Sequence, residues 1–160
     1  MRSYLREDAP KLYRIYFDAI HRTAAPFYSP DQRRAWAPSS IDAYRWAERL
    51  STLQPFVACE SGEPVGYADL QPDGYIDHFF VAPAAGSRGV GGLLMQRLLE
   101  RARELGLGKM WADVSRSAER FFERHGFELV ARSSNPIRGV AVPNARMQRH
   151  AVLANQGQGL

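Results

Sequence analysis

The stretch from Tyr75 to Gly106, YIDHFFVAPAAGSRGVGGLLMQRLLERARELG, joins a strand to a helix through a glycine-rich turn. Tyr75 to Val81 is aromatic and β-branched, with Pro72, Asp73 and Gly74 before it and Pro83 after it, which is the composition and punctuation of a strand. From Val90 the apolar residues Val90, Leu93, Leu94, Leu98, Ala102 and Leu105 recur at three- and four-residue steps, with Arg97, Glu100, Arg101 and Glu104 opposite. That period predicts an amphipathic helix, capped by Gly106. Between the two lies GSRGVGG, Gly86 to Gly92. A helix N-terminus leaves its first N–H groups without intrahelical partners, and glycines let the backbone close on an anion, so the turn suits a phosphate. Spacing narrows the choice. A dinucleotide fingerprint begun at Gly89 and Gly91 needs glycine at 94, where Leu94 stands, and a P-loop needs a lysine, whereas Lys11 and Lys109 lie far from the turn.

Working outward, Met1 to Arg6 suits a short edge strand, and Asp8, Ala9 and Pro10 open a helix with the stripe Leu12, Ile15, Tyr16, Ala19 and Ile20. Ser29 and Gln32 form a capping box for a short helix, and Ser40 is placed to cap a further helix over Ile41 to Leu50, with Ile41, Tyr44 and Ala47 on one face. Pro55 to Cys59 and Pro64 to Leu70 read as strands joined by Glu60-Ser61-Gly62-Glu63, and Pro72-Asp73-Gly74 leads on to Tyr75 to Val81, giving three consecutive antiparallel strands. After the long helix come a strand over Lys109 to Val114, a helix over Ser115 to Arg124, and strands over Phe127 to Arg132 and Val140 to Arg149. The expected architecture is one α/β (α+β) domain over residues 1–150, built on a mixed, mostly antiparallel sheet flanked by helices. Residues 151–160 are expected to form a flexible tail.

Composition sets the outer bounds. The chain has 160 residues and 45% hydrophobic content, enough for one real core. No apolar run approaches the ~18 residues of a spanning helix, and Arg2, Arg6, Glu7 and Asp8 interrupt any signal-peptide pattern, so a cytoplasmic location without a membrane partner is expected. Cys59 is the only cysteine, which excludes an internal disulfide and a cysteine-based metal cage, and no metal is expected. Its place in the apolar run PFVAC suits a buried strand residue better than a nucleophile. The formal net charge is +4, but acids and arginines interleave rather than forming a basic block, so no nucleic-acid partner is expected. A polyanionic cofactor makes better use of that field.

The turn resembles the acyl-CoA site of the GNAT superfamily of N-acyltransferases, in which a strand ending V-x-P leads to a Q/R-x-x-G-x-G/A turn and a long amphipathic helix. Here these parts read Val81-Ala82-Pro83 and Gly86-Ser87-Arg88-Gly89-Val90-Gly91. A second segment, Ser115 to Phe127, is similar to the family's N-x-x-A-x-x-F/L-Y-x-x-x-G-F pattern. Within the superfamily the chain looks most like the YafP-like group, through YSPDQRRAWA, FFERHGF and IRGVAVPNARMQR. The resemblance implies a GNAT fold, acetyl-CoA as cosubstrate, and direct transfer of its acetyl group to a primary amine of a small molecule or a protein. It implies that Phe79, Phe80 and Val81 hold the pantetheine arm, and that Ser87, Arg88, Gly89, Val90, Gly91 and Gly92 surround the pyrophosphate. Ser115, Phe121 and Phe122 are implied beside them.

For catalysis the resemblance points to Asp77 as base. His78 is a second candidate, expected on the opposite face because strand side chains alternate. Tyr28 is a candidate proton donor for the departing thiolate, with water or Ser115 as other sources. Tyr75 and His21 are candidates for shaping the acceptor pocket. Two departures stand out: Gly86 replaces the usual Gln or Arg, with Arg88 near enough to supply the charge, and Phe122 replaces the tyrosine that protonates the thiolate in many members. They motivate an alternative, an acyl-CoA-binding module with little or no transferase activity. An exposed last strand can pair between chains, so a homodimer is compatible with the sequence.

Overall fold

The computed structural model describes residues 1–151, so all but the first residue of the expected tail lies outside the described residues. Strand β1 (Arg2–Ser3) leads to α1 (Ala9–Asp18), which continues through a π-turn over Ala19–Thr23 where Ala24 N–H reaches back to Ala19 C=O (3.0 Å). Helix α2 (Pro30–Trp36) starts at the expected capping box: Gln32 N–H donates to Ser29 Oγ (3.1 Å) and Ser29 N–H to Gln32 Oε1 (2.8 Å). Helix α3 (Ala43–Leu53) differs from expectation. Asp42, not Ser40, caps it by accepting from Tyr44 and Arg45 N–H, and the resulting phase leaves Tyr44 68% exposed instead of on the core face.

Strands β2 (Phe56–Glu60) and β3 (Glu63–Ala68) form the expected hairpin. The next strand is where the architecture departs from a continuous sheet. Tyr75 to Val81 is broken into β4 (Tyr75–Ile76) and β5 (Phe79–Val81), with Asp77 and His78 between them. β5 pairs antiparallel with β3, whereas β4 pairs parallel with β6 (Lys109–Ser115). The chain therefore builds two four-stranded sheets, β1-β2-β3-β5 and β4-β6-β8-β7, that diverge from this break. Between β5 and β6 runs α4 (Val90–Glu104), which buries Val90, Leu94, Met95, Leu98 and Ala102. Gly66 on β3 lets it lie close, since a Cβ there would meet Leu94 and Val90 at 3.1 Å. Helix α5 (Glu119–Arg124) then precedes β7 (Glu128–Ile137) and β8 (Val140–His150).

The last hairpin is longer than its sequence suggests. Ser133 to Pro136 pair with β8 rather than forming a loop, and the turn is only Arg138 (φ 47°) and Gly139 (φ 78°). Two consecutive left-handed residues match the twist of a two-residue hairpin. Among the described residues, no helix is long and apolar enough to cross a membrane.

Candidate active site

The break at Asp77 and His78 is held by a residue that pattern reading passes over. Asp69, just beyond β3, is fully buried, and its Oδ1 accepts the backbone N–H of Asp77 (3.0 Å) and of His78 (2.6 Å). Its Oδ2 accepts from Gln71 Nε2 (2.5 Å), and its own N–H donates to His78 C=O (3.1 Å). A carboxylate thus takes the ladder position that the next strand would fill, which ends one sheet and starts the other. Burial pushes Asp69 up to about 6, against the His78 N–H and the Gln71 amide, which favour its charged form.

One consequence is an open strand edge. His78 C=O and Ala82 N–H (to Val65 C=O, 2.8 Å) both face β3, so by alternation the backbone groups of Phe79 and Val81 face the opposite edge of β5, which has no neighbouring strand among the described residues. That edge lines a cleft of about 670 Å³ whose other walls include the π-turn of α1, the Gly86–Gly92 turn and Phe121. At the far end of the cleft α4 begins at Val90, with Gly89 in the left-handed region (φ 78°). A Cβ built at Gly89 or Gly92 meets nothing within 4 Å, so the space over this N-terminus is open. At Gly91 a Cβ would meet the Phe121 ring at 3.1 Å, so glycine is needed there for helix packing. Ser87, Gly89, Gly91 and Gly92 line the cleft together with Phe79, Phe80, Val81, Ser115 and Phe121. Arg88 instead turns its guanidinium to Glu60 (2.8 Å).

The other consequence is that Asp77 and His78 do not alternate across a sheet: both line a second cavity of about 400 Å³. Tyr16, Tyr28, Tyr75 and Asp113 share its wall with Arg49 and Arg138. Asp77 pairs with Arg49 of α3; burial raises its pKa while Arg49 opposes the rise. His78 is 7% exposed, stacked on Tyr16 (5.6 Å between centroids), with Nδ1 3.0 Å from Tyr67 Oη. Burial drives its pKa down to about 3, helped by Arg49, so the ring is neutral at pH 7. Tyr75 packs on Trp111 with its ring tilted (4.3 Å between centroids), and its pKa is pushed up to about 12, mainly by burial. Asp113 is held by Arg146 (3.0 and 3.2 Å).

Tyr28 is 4% exposed and its hydroxyl is doubly engaged, donating to Pro143 C=O (2.7 Å) and accepting from Arg116 N–H (2.9 Å). It fastens α2 to β8 and to the start of the turn before α5. Phe122 is buried against Phe79, Phe121 and Phe127 at 4.9–5.8 Å and presents only ring carbon. Ser115 does not cap the following turn; its Oγ lies 2.9 Å from Ser117 Oγ. His21 sits outside both cavities, with Nε2 2.7 Å from Ala37 C=O. The two cavities share Trp36, Phe79, Phe80, Ser115 and Ala118, so that is where their contents would meet. Asp69, Arg49, Trp36 and Arg138 were not among the residues expected from sequence. Their neighbours are distant in the chain, and only the PDG turn signal after Asp69 hinted at an irregular strand.

An open strand edge leading to an unsatisfied helix N-terminus fits a ligand with an amide-bearing arm and a phosphate group. Comparison with known proteins agrees with that chemistry. The family model described as an acetyltransferase (GNAT) domain matches residues 24–148. The chain is 36% identical over 148 residues to the uncharacterized N-acetyltransferase YafP of Escherichia coli (strain K12), covering 92% of this chain and 93% of that protein. A GCN5-related N-acetyltransferase structure from Rhodopseudomonas palustris superposes with a TM-score of 0.89 at 34% identity over 94% of both chains. In fold alone the chain is also similar to the acetyltransferase yncA of Salmonella typhimurium, solved with acetyl-CoA (TM-score 0.69, 22% identity, 99% and 97% coverage). The chain belongs to the GNAT acetyltransferase family, as an N-acetyltransferase.

Proposed function

We propose that the protein binds acetyl-CoA in the larger cleft and catalyses direct transfer of its acetyl group to a primary amine bound in the smaller cavity. The observation that carries this reading is the meeting of the two cavities at Phe79 and Ser115, with Asp77 on the amine side and the open β5 edge on the other. The backbone of Phe79 and Val81 would bind the pantetheine arm as an added strand. The free N–H groups at Val90 to Gly92 would hold the pyrophosphate. Acetyl-CoA, when bound, supplies an activated acyl carbon and a thiolate leaving group. Cys59 lies on β2 and lines neither cavity, which favours direct attack over a cysteine-bound acyl intermediate.

An alkyl ammonium with a pKa of ~10.4 must lose its proton before it can attack, at roughly 4–5 kcal/mol at pH 7. Asp77 is the group that takes this proton, directly or through water. His78, neutral and a very weak base, shapes the cavity wall and offers a hydrogen bond. The Tyr28 proton is committed to Pro143, so the thiolate takes its proton from water or from the Ser115–Ser117 pair. With a thiol pKa of ~8.5 that protonation is downhill by about 2 kcal/mol at pH 7. A cytoplasmic reaction is compatible with the described residues, which hold no helix long and apolar enough to cross a membrane. The last strand, β8, lies between β6 and β7 and is not the edge the sequence suggested; β7, exposed over Glu128 to Pro136, is the edge through which two copies would pair.

Calorimetric titration with acetyl-CoA, followed by thiol release on a panel of amines, tests the reading. Binding with turnover is expected. No acetyl-CoA binding would overturn it, and binding without turnover on a broad panel would favour an acyl-CoA-binding module.

A further inference from the structure

We infer that the acceptor is an amine that also carries an anionic group, a carboxylate or a phosphate, read by Arg138 together with Arg45 and Arg49. This rests on the acetyltransferase reading above and adds the chemical class of its acceptor. Across His78 from the amine cavity lies a further space of about 480 Å³ between α1, α3 and the β7–β8 turn. The two share Tyr16, Trp36, Arg49, His78 and Arg138, so they adjoin at these side chains, and the inferred acceptor would span both. Their charges differ. Asp77 and Asp113 line the amine cavity, whereas the further space is bordered by Arg45, Arg49 and Arg138 with Asp42 as its only carboxylate among the described residues.

Most of that positive charge is already partnered. Arg49 pairs with Asp77, and Arg45 lies 3.7 Å from Asp42. Arg138 has no carboxylate partner among the described residues. Its Nη1 donates to Ala35 C=O (2.7 Å), which holds the guanidinium on the wall common to both spaces, and its other donors have no hydrogen-bond partner among the described residues. It also occupies a left-handed turn position (φ 47°) where glycine or asparagine is ordinary, so a long cationic side chain stands there against local preference. His78, uncharged between the two spaces, neither repels an ammonium on one side nor competes for an anion on the other. A ligand with its amine at Asp77 and its anion at Arg138 satisfies both ends.

The test is a ladder of ω-amino carboxylates and aminoalkyl phosphates, each paired with an uncharged amide or alcohol of the same length. Thiol release is read with saturating acetyl-CoA. Binding is read separately by the fluorescence of Trp36 and Trp46, which line these spaces, in the presence of CoA. At least one anionic amine should exceed its uncharged partner at least tenfold in kcat/KM and in affinity. Arg138→Gln should bring that ratio close to one, Arg138→Lys should restore part of it, and Arg103→Gln on the far face of α4 should leave it unchanged. The carboxylate and phosphate arms show which anion is preferred. Uncharged amines that match their anionic partners throughout, or an unaltered ratio in Arg138→Gln, would overturn the inference. Absence of turnover with every amine would count against the transferase reading, and the binding ratio would still decide this one.

Discussion

Replacing Asp69 by asparagine should make the protein more stable at neutral pH and a poorer catalyst. The sign of the first effect comes from burial. Asp69 is fully buried and titrates at about 6, against ~3.9 for a free aspartate, a rise of about two pH units or about 3 kcal/mol. The folded protein therefore keeps this proton up to about pH 6, while the unfolded chain releases it near pH 4. Between those values the native state binds more protons, so stability falls as pH rises and levels off above about 6. His78 contributes the opposite slope, because its folded pKa of about 3 lies below the unfolded value and its stabilisation grows between about pH 3 and 6.5. The wild-type profile blends the two, and only the difference between wild type and variant isolates Asp69.

Asparagine keeps an acceptor for the N–H groups of Asp77 and His78 and removes the buried charge, while its Nδ2 donates to Gln71 once that amide turns over to present Oε1. It should match wild type within about 1 kcal/mol at pH 4.5 and exceed it by about 1–3 kcal/mol at pH 7.5, at roughly 2–4 °C in Tm per kcal/mol. Asp69→Ala orphans both N–H groups, at about 1–3 kcal/mol each, and should be less stable than wild type at pH 4.5 and less stable than the asparagine variant at both pH values. Since a carboxylate holds such donors roughly twice as strongly as a neutral carbonyl, the asparagine variant should lose kcat through a looser strand break. Urea unfolding followed by tryptophan fluorescence at the two pH values is the assay. An asparagine variant that loses stability relative to wild type on going from pH 4.5 to 7.5 would refute the reasoning, since the buried charge would then be a net stabiliser.

Asp77→Asn should cut kcat by about 10²–10⁴ while leaving acetyl-CoA affinity near wild type, checked by thiol release and calorimetry. Arg49→Gln removes the cation that opposes the burial-driven rise at Asp77, so the acidic limb of the kcat/KM profile should move to higher pH; an unmoved limb would show that Asp77 is not the base. Gly91→Val drives a side chain into Phe121 and should weaken acetyl-CoA binding at least tenfold in calorimetry. Tyr28→Phe leaves Pro143 C=O and Arg116 N–H without their buried partner, an expected loss of about 1–3 kcal/mol in urea unfolding, and thiol release should persist if water protonates the thiolate.

What could be read from the chain was whatever depends on near neighbours. The helical period from Val90 to Glu104, the glycine turn before it and the Ser29–Gln32 capping box are local, and each appears in the fold. The strand break at Asp77 is not local. It exists because a carboxylate eight residues away takes the place of a ladder partner, and no alternation rule applied to YIDHFFV contains that information. The same limit explains the acceptor side. Arg49 and Arg138 come from α3 and the last turn, and reach the site only when tertiary packing brings those elements over His78. Asp42 and Ser40 are both good caps by propensity, and the fold uses Asp42.

The division of the two carboxylates near the break also explains why the base would be Asp77 and not its more basic-looking neighbour. Free histidine is the better base near neutral pH, but His78 is enclosed by Tyr16, Trp46, Tyr67 and Phe80, with Arg49 alongside, and the imidazolium has no carboxylate partner there. Asp77, one residue earlier, is half-buried beside Arg49, which limits the rise that burial would otherwise cause. Arg49 favours its charged form, and the dry site strengthens the hold of that form on an ammonium. An anionic acceptor group drawn to Arg49 would compete with that ion pair and release Asp77 toward the amine, so the base would be freed when its substrate arrives. That coupling predicts an acidic limb of the kcat profile, which reports the substrate-bound enzyme, that moves to higher pH with anionic amines and stays in place with their uncharged partners.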